Sequence, residues 1–332
     1  MDEHEVLDKY EKSVSKHFIA SECKIGKGRE KMSTKYFIGT AGWSYTDWSP
    51  MFYPQKQGAG FDKLSFYSKY FNCVEVNSTY YQYHHPGTAL EWLKKTEGRE
   101  DFHFTIKLHQ DFTHKREYLK ENIDSVRSLL NVLQRGERFG GLLIQFPYSF
   151  SFSPVSAGYL LNLSDEFCGY RKFLEVRHKS WSSAEAYDFC KEWGLVPATI
   201  DQPQIGETIP FRLNIVNERA YIRLHGRNDE GWLNSIRNYG KQQSYQEQNE
   251  RYRYLYSSGE LTEIAQIIKS ATEHLKEVFV IFNNHPGGNA PANALELIHF
   301  LENRQLIDIP AQMGKYFQPL KSYSNFLEQE LF

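Results

Sequence analysis

Eight short apolar runs recur along this chain, and each stops at a polar or ionisable residue. YFIGT ends at Thr40, CVEV at Asn77, FHFTI at Lys107, GLLI at Gln145, KFLEV at Arg177, PATI at Asp201, AYIRL at His225, and VFVIF at Asn283 with Asn284. A (β/α)₈ barrel reads this way, because its functional side chains project from the carboxyl ends of its strands. The runs GLLIQF and VFVIF are apolar on both faces, as parallel strands are when helices cover them outside and side chains fill the barrel inside. The expected fold class is therefore α/β, a TIM-type barrel.

Helical stretches are expected between the runs, over 61–71, 89–95, 120–137, 155–167, 184–193, 260–275 and 290–301. The clearest is 120–137, where Ile123, Val126, Leu129, Leu130 and Leu133 fall on one stripe facing the sheet. Two departures from an ideal barrel stand out. Between Asp201 and Ala220 the segment holds two prolines and no helical period, so the sixth crossover helix is expected to be degenerate. Between His225 and Val278 lies an insertion of about fifty residues, with 238–258 rich in Tyr, Gln and Arg. A loop of that length between the seventh and eighth strands is a candidate lid or binding element.

The expected organisation is one barrel over residues 35–332 behind a polar extension over 1–34, with Met32 a second candidate start. The extension is charged and has no signal-peptide apolar core. No window approaches the ~18 consecutive apolar residues of a membrane span, so no membrane partner is expected. Cys23, Cys73, Cys168 and Cys190 are scattered without a C-x-x-C pair, which fits reduced thiols in a cytoplasmic protein. A formal net charge of −2 gives no overall attraction to nucleic acid, so any attraction for anions must be local. Oligomeric state is not legible in these residues.

Strand geometry pairs residues two apart on one face: Glu75 with Asn77, Glu175 with Arg177, Arg223 with His225. Placed at the mouth with the other strand ends, Lys107, His109, His114, Arg177, His178, Arg223, His225 and Arg227 outnumber Glu75, Glu175 and Asp201. A cationic concave site focuses potential on an anion, and arginine offers a planar fork for phosphate or carboxylate. The competing reading is that Arg177 and Arg223 neutralise Glu175, Asp201 and Glu75 in structural ion pairs. Beside Arg177, Glu175 is expected to stay ionised. Glu75, with only Asn77 near it in sequence, is the better proton donor.

His109, His114, His225 and His285 with the three carboxylates invite a metal reading, but no H-x-H or H-x-x-x-H spacing occurs and adjacent Arg and Lys oppose a dication. No metal and no cofactor is therefore expected. Gly39 and Gly42 allow close backbone approach at the first strand end, and Trp43 offers a stacking surface. Trp43, Tyr45 and Trp48 serve equally well as packing. After Asn283 and Asn284, PGGNAPANA leads into a helix whose amino end could hold a phosphate. No G-x-S-x-G elbow supports a nucleophilic serine.

Taken together, GTAGWSYTDW, VEVNSTYY, FHFTIKLHQDFTH, LLIQFPYSF, LEVRHKSW, YIRLHGRN and VFVIFNNHPGGNAPANA resemble the YecE-like family, a domain of unknown function, from about Tyr36 to Leu301. The resemblance implies a TIM-type barrel and no assigned reaction. It implies recurrent polar positions at Trp43, Glu75, Asn77, Thr79, Lys107, His114, Gln145, Glu175, Arg177, Asp201, Arg223, His225, Gly226, Asn283 and Asn284. Tyr80-Tyr81 departs from the usual aromatic followed by Arg, so the phenol rings take the place of a basic group as binding surface.

The leading functional expectation is a metal-independent hydrolase, isomerase or lyase acting on a small phosphorylated or carboxylated substrate. Arg177, Arg223 and Lys107 would hold the anion, with Glu75, Glu175, Asp201 and His225 as catalytic candidates. Trp43, Asn77, His114, Gln145, Asn283 and Asn284 complete the expected binding set. A second reading is a nucleic-acid-binding or phosphodiester-processing barrel, resting on Arg237, Lys241, Arg251 and Arg253 interleaved with Tyr239, Tyr245, Tyr252, Tyr254 and Tyr256. A third is a binding protein without turnover.

Overall fold

A computed structural model of the chain describes residues 33–238 and 240–327. The bulk of the expected polar extension, with Cys23 and Met32, and also Tyr239, lies outside the described residues. The strands are β1 (Lys35–Ala41), β2 (Cys73–Val76), β3 (His103–Lys107), β4 (Phe139–Gln145), β5 (Lys172–Glu175), β6 (Leu195–Pro197), β7 (Thr199–Asp201), β8 (Arg219–Leu224) and β9 (Glu277–Phe282). All nine join one parallel sheet in the order β6-β5-β4-β3-β2-β1-β9-β8-β7. The chain closes the barrel by splitting its sixth stave at Ala198. The first half, β6, pairs with β5, and the second half, β7, pairs with β8.

The helices are α1 (Lys63–Tyr67), α2 (Pro86–Lys95), α3 (Lys120–Arg135), α4 (Pro154–Glu166), α5 (Ala184–Glu192), α6 (Asp229–Arg237), α7 (Tyr245–Asn249), α8 (Ser258–Ser270), α9 (Asn289–Glu302) and a single turn, α10 (Met313–Tyr316). Each of the seven expected helices is present, the first shortened from 61–71 to α1, with Asp62 fixing its start by accepting from the Ser65 N–H at 2.9 Å. The apolar stripe of α3 is buried as its spacing predicts. No helix forms between β7 and β8, where every residue is described. Among the described residues, no helix is long and apolar enough to cross a membrane.

The barrel floor is aromatic. Phe37 stacks on Phe279 at 4.4 Å and Phe173 on Tyr221 at 4.1 Å between ring centroids. These rings leave no room at Gly141, where an added Cβ would stand 2.3 Å from the Phe173 ring, so the glycine is there for the ring's sake. Alternate residues above this floor are polar. On β8, Tyr221 and Arg223, followed by His225, set three polar groups at successive heights along one face. Past β9 a short parallel ribbon, β10 (Ile307–Pro310) with β11 (Ser324–Leu327), closes the described chain.

Candidate functional site

The mouth is built around Arg223, a residue only 1% exposed. Its Nη2 donates to Glu75 Oε1 at 2.6 Å and its Nη1 donates to Glu175 Oε2. Arg177 donates to the other oxygen of Glu175 through Nε at 3.0 Å and Nη2 at 2.7 Å. Below them the Tyr221 hydroxyl donates to Glu75 Oε2 at 2.7 Å. Two arginines therefore bind two fully buried carboxylates, and the competing ion-pair reading describes Arg223, Arg177, Glu75 and Glu175. Burial works against the Glu175 carboxylate, but Arg223 and Arg177 together hold it well below the usual carboxylate range.

Two expectations are corrected by this arrangement. Arg223 is not a free anion-holding fork, because both its terminal nitrogens are committed to carboxylates. Glu75 is not solitary: both its oxygens accept hydrogen bonds from side chains that strand order brings across from β8, which suits an acceptor and not a proton donor.

Lys107 at the end of β3 stands apart. Its amine lies 4.2 Å from the centroid of the Tyr80 ring, and among the described residues no carboxylate comes within ion-pair distance of it. Burial, with Arg223 adding to it, lowers its pKa to about 7 against the pull of Glu75 and Glu175. The His114 ring meets the same Tyr80 ring edge-on at 5.2 Å. Burial and then Lys107 lower His114 to about 4. His225 is fully buried, with Nδ1 2.9 Å from the Asn283 amide nitrogen and Nε2 3.5 Å from Glu175 Oε1. Burial outweighs Glu175 and takes its pKa to about 3, so at neutral pH it is a neutral hydrogen-bonding group.

The remaining predicted residues divide. Asn77 lies at the start of a short 3₁₀ turn after β2, its Oδ1 buried without a partner. Gln145 is buried and donates to the Phe146 carbonyl at 3.2 Å. Trp43 is half-buried and packs edge-on against Trp92 of α2 at 6.0 Å, the packing contact its position equally allowed. Asp201 accepts from Arg227 Nε at 3.0 Å and from the Tyr256 hydroxyl at 2.5 Å, so it anchors the insertion and is not gathered with Glu75 and Glu175. Asn284 donates to the Tyr254 carbonyl and to Asn293 Oδ1, again an anchor. The expected phosphate-holding turn before α9 already has an anion: Asp47 Oδ2 accepts from the Gly287 N–H at 2.8 Å.

The insertion roofs the mouth. Asn228 caps α6, and its amide donates to the carbonyls of Glu250 and Arg253, pinching the excursion shut. Trp232 of α6 takes the Arg177 guanidinium at 5.3 Å and stands 6.5 Å edge-on to His225. The Tyr252 ring lies 6.0 Å from the His225 ring. Sequence reasoning missed Trp232 and Tyr221, and the one signal for Trp232 was a lone tryptophan in a charged, loop-like stretch. Among the described residues of the insertion, Tyr256 binds Asp201, Tyr254 binds Glu260, Arg251 stacks on Tyr252 and Trp232, and Arg253 pairs with Glu250. Five of the nine residues behind the base-stacking reading are therefore held within the fold. Tyr256→Phe orphans the Gly226 N–H that its hydroxyl accepts from at 2.9 Å. It is expected to cost about 2 kcal/mol in urea unfolding; an unchanged midpoint would show that Asp201 does not anchor the insertion.

Residues 37–314 match the model of "Protein of unknown function DUF72". The chain belongs to the DUF72 family. It is 31% identical over 278 residues to the UPF0759 protein YunF of Bacillus subtilis (strain 168), covering 80% of this chain and 94% of that one. To the UPF0759 protein YecE of Escherichia coli (strain K12) it is 29% identical over 144 residues, 43% of this chain and 48% of that one. A crystal structure of a DUF72 family protein from Thermotoga maritima MSB8 superposes with a TM-score of 0.68 at 30% identity, covering 80% of this chain and 99% of that one. A second, from Enterococcus faecalis V583, gives 0.68 at 23% identity over 81% and 96%, a likeness of fold. The DUF72 barrel, like other TIM-type barrels, carries its polar strand ends on one face, and the family name assigns them no reaction. Among the described residues of this DUF72 protein, no three His, Cys, Asp or Glu side chains are grouped to hold a metal ion.

Proposed function

We propose that the barrel mouth is an active site for a small anionic substrate, phosphorylated or carboxylated, with Lys107 as the group that meets the anion and moves protons. The observation that carries this reading is a charge imbalance. Arg223 and Arg177 are matched by Glu75 and Glu175, which leaves Lys107 without a paired counter-charge among the described residues. A substrate anion would supply it, in a site dry enough for the attraction to be strong. The buried, unpartnered Asn77 Oδ1 and Arg223 Nε add polar atoms for a ligand to engage. With a pKa near 7, the amine exchanges a proton readily at neutral pH, which suits an isomerase, lyase or hydrolase step.

The reading has a signed pH dependence. An anion prefers the protonated amine, so affinity is present below the amine's pKa and declines as pH rises through about 7. Of the groups around the amine, Arg223 and Tyr80 are held above that range, and Glu175 and His114 below it. Isothermal titration with sulfate, whose own charge is constant there, should show binding at about pH 6 that weakens several-fold by about pH 8. Lys107→Ala should abolish it, and Lys94→Ala, an exposed change on α2, should not. Sulfate binding indifferent to both pH and Lys107→Ala would sink the reading.

A further inference from the structure

An ammonium and a guanidinium hold an anion comparably well, and a bidentate guanidinium holds it with better geometry. What a lysine does and an arginine does not is add to a carbonyl carbon. The mouth places its two arginines where they are committed to carboxylates and its lysine where no described carboxylate fixes it, over the face of Tyr80 at the end of β3. Glu75 and Glu175, the acids that share the interior with Lys107, have every oxygen engaged by Arg223, Arg177 or Tyr221. The amine is thus kept inside a buried polar cluster without being pinned as an ion pair.

We infer that Lys107 is a nucleophile that forms an imine with a small anionic aldehyde or ketone, which its ammonium form draws in and whose acid group then passes to the remaining Nη1 of Arg177 under Trp232 as the amine reacts. The inference rests on the anion-site reading and names its substrate class. Arg177 commits Nε and Nη2 to Glu175 and keeps Nη1 for the substrate. In the addition, the nitrogen lone pair forms the C–N bond while the carbonyl π pair moves to oxygen. That oxygen takes up a proton and the nitrogen gives one up. The His114 imidazole, neutral at neutral pH and set against the same Tyr80 ring, is placed to carry it. The hydroxyl then takes a second proton and leaves as water as the nitrogen pair forms the C=N bond. One water is released and nothing is oxidised or reduced. The protonated imine draws electrons from the neighbouring carbon, which eases loss of a proton or cleavage of a C–C bond there. A lysine half unprotonated near neutral pH supplies the free amine this requires.

The test is borohydride trapping on the whole chain, with pyruvate and dihydroxyacetone phosphate as probes, followed by intact mass and peptide mapping. The expected result is one reduced adduct per chain on the peptide carrying Lys107, absent without borohydride and lost in Lys107→Arg. Mapping on the unmodified sequence decides the matter even if that variant does not fold. No adduct with either probe, or adducts spread over surface lysines and retained in Lys107→Arg, would overturn the imine. If sulfate still binds in a Lys107-dependent way, that failure leaves the anion site standing; if it does not, both readings fall together.

Discussion

Arg223→Met is expected to destabilise the fold by about 3–5 kcal/mol, the loss seen when one partner of a buried ion pair is removed and its opposite charge is left behind. Here two carboxylates are left behind, Glu75 and Glu175, both fully buried. Tyr221 still serves one and Arg177 the other, so the loss belongs within that range and not far beyond it. The diagnostic is rescue. If the loss comes from stranded charge, adding Glu75→Gln and Glu175→Gln to Arg223→Met should restore a good part of it, because neutral amides are far less costly to bury. Urea unfolding of the single and triple variants checks this. A triple variant less stable than the single would mean that Arg223 matters for the space it fills and not for the charges it matches.

That rescue depends on contacts the sequence displays unevenly. Glu175 and Arg177 are neighbours at period two on one stretch of chain, and their ion pair was readable from spacing alone. Arg223 reaches Glu75 and Glu175 across the barrel, over separations of 148 and 48 residues, and no local pattern encodes which strands face each other across a closed sheet. The same blindness made Glu75 look solitary and Arg223 look free. The strand ends themselves were legible because each apolar run stops at a polar residue, and α3 because its stripe is regular. Asp201 was legible as a strand end but not as an anchor, since its partners Arg227 and Tyr256 lie in and beside the insertion. Asp47 filling the turn before α9 was hidden for the same reason, being a contact between the first and last barrel loops.

Lys107→Met is expected to do the opposite of Arg223→Met, raising stability by about 3 kcal/mol at mildly acidic pH while removing affinity for anions. The sign follows from proton linkage. Burial takes the Lys107 pKa from 10.5 down to about 7, so between those values the unfolded chain holds a proton that the folded chain has released. Stability contributed at this position rises with pH across that window. Below about pH 7 both states carry the charge, and the fold bears the full penalty of keeping it half-buried. At about 1.4 kcal/mol for each pH unit separating the folded from the unfolded pKa, reduced for the water the amine still reaches, that penalty is on the order of 3 kcal/mol. Methionine fills a similar volume without the charge. The gain over the unsubstituted chain should therefore be largest at about pH 6 and shrink toward about pH 10. A gap that stays constant across that range, or a variant no more stable than its parent, would mean the amine is better solvated than its surroundings imply. The two substitutions together separate the roles of neighbouring cations. Arg223 is tolerated because it neutralises the carboxylates beside it, whereas Lys107 is held at a cost to the fold that an anionic ligand would relieve, as expected of a group retained for function.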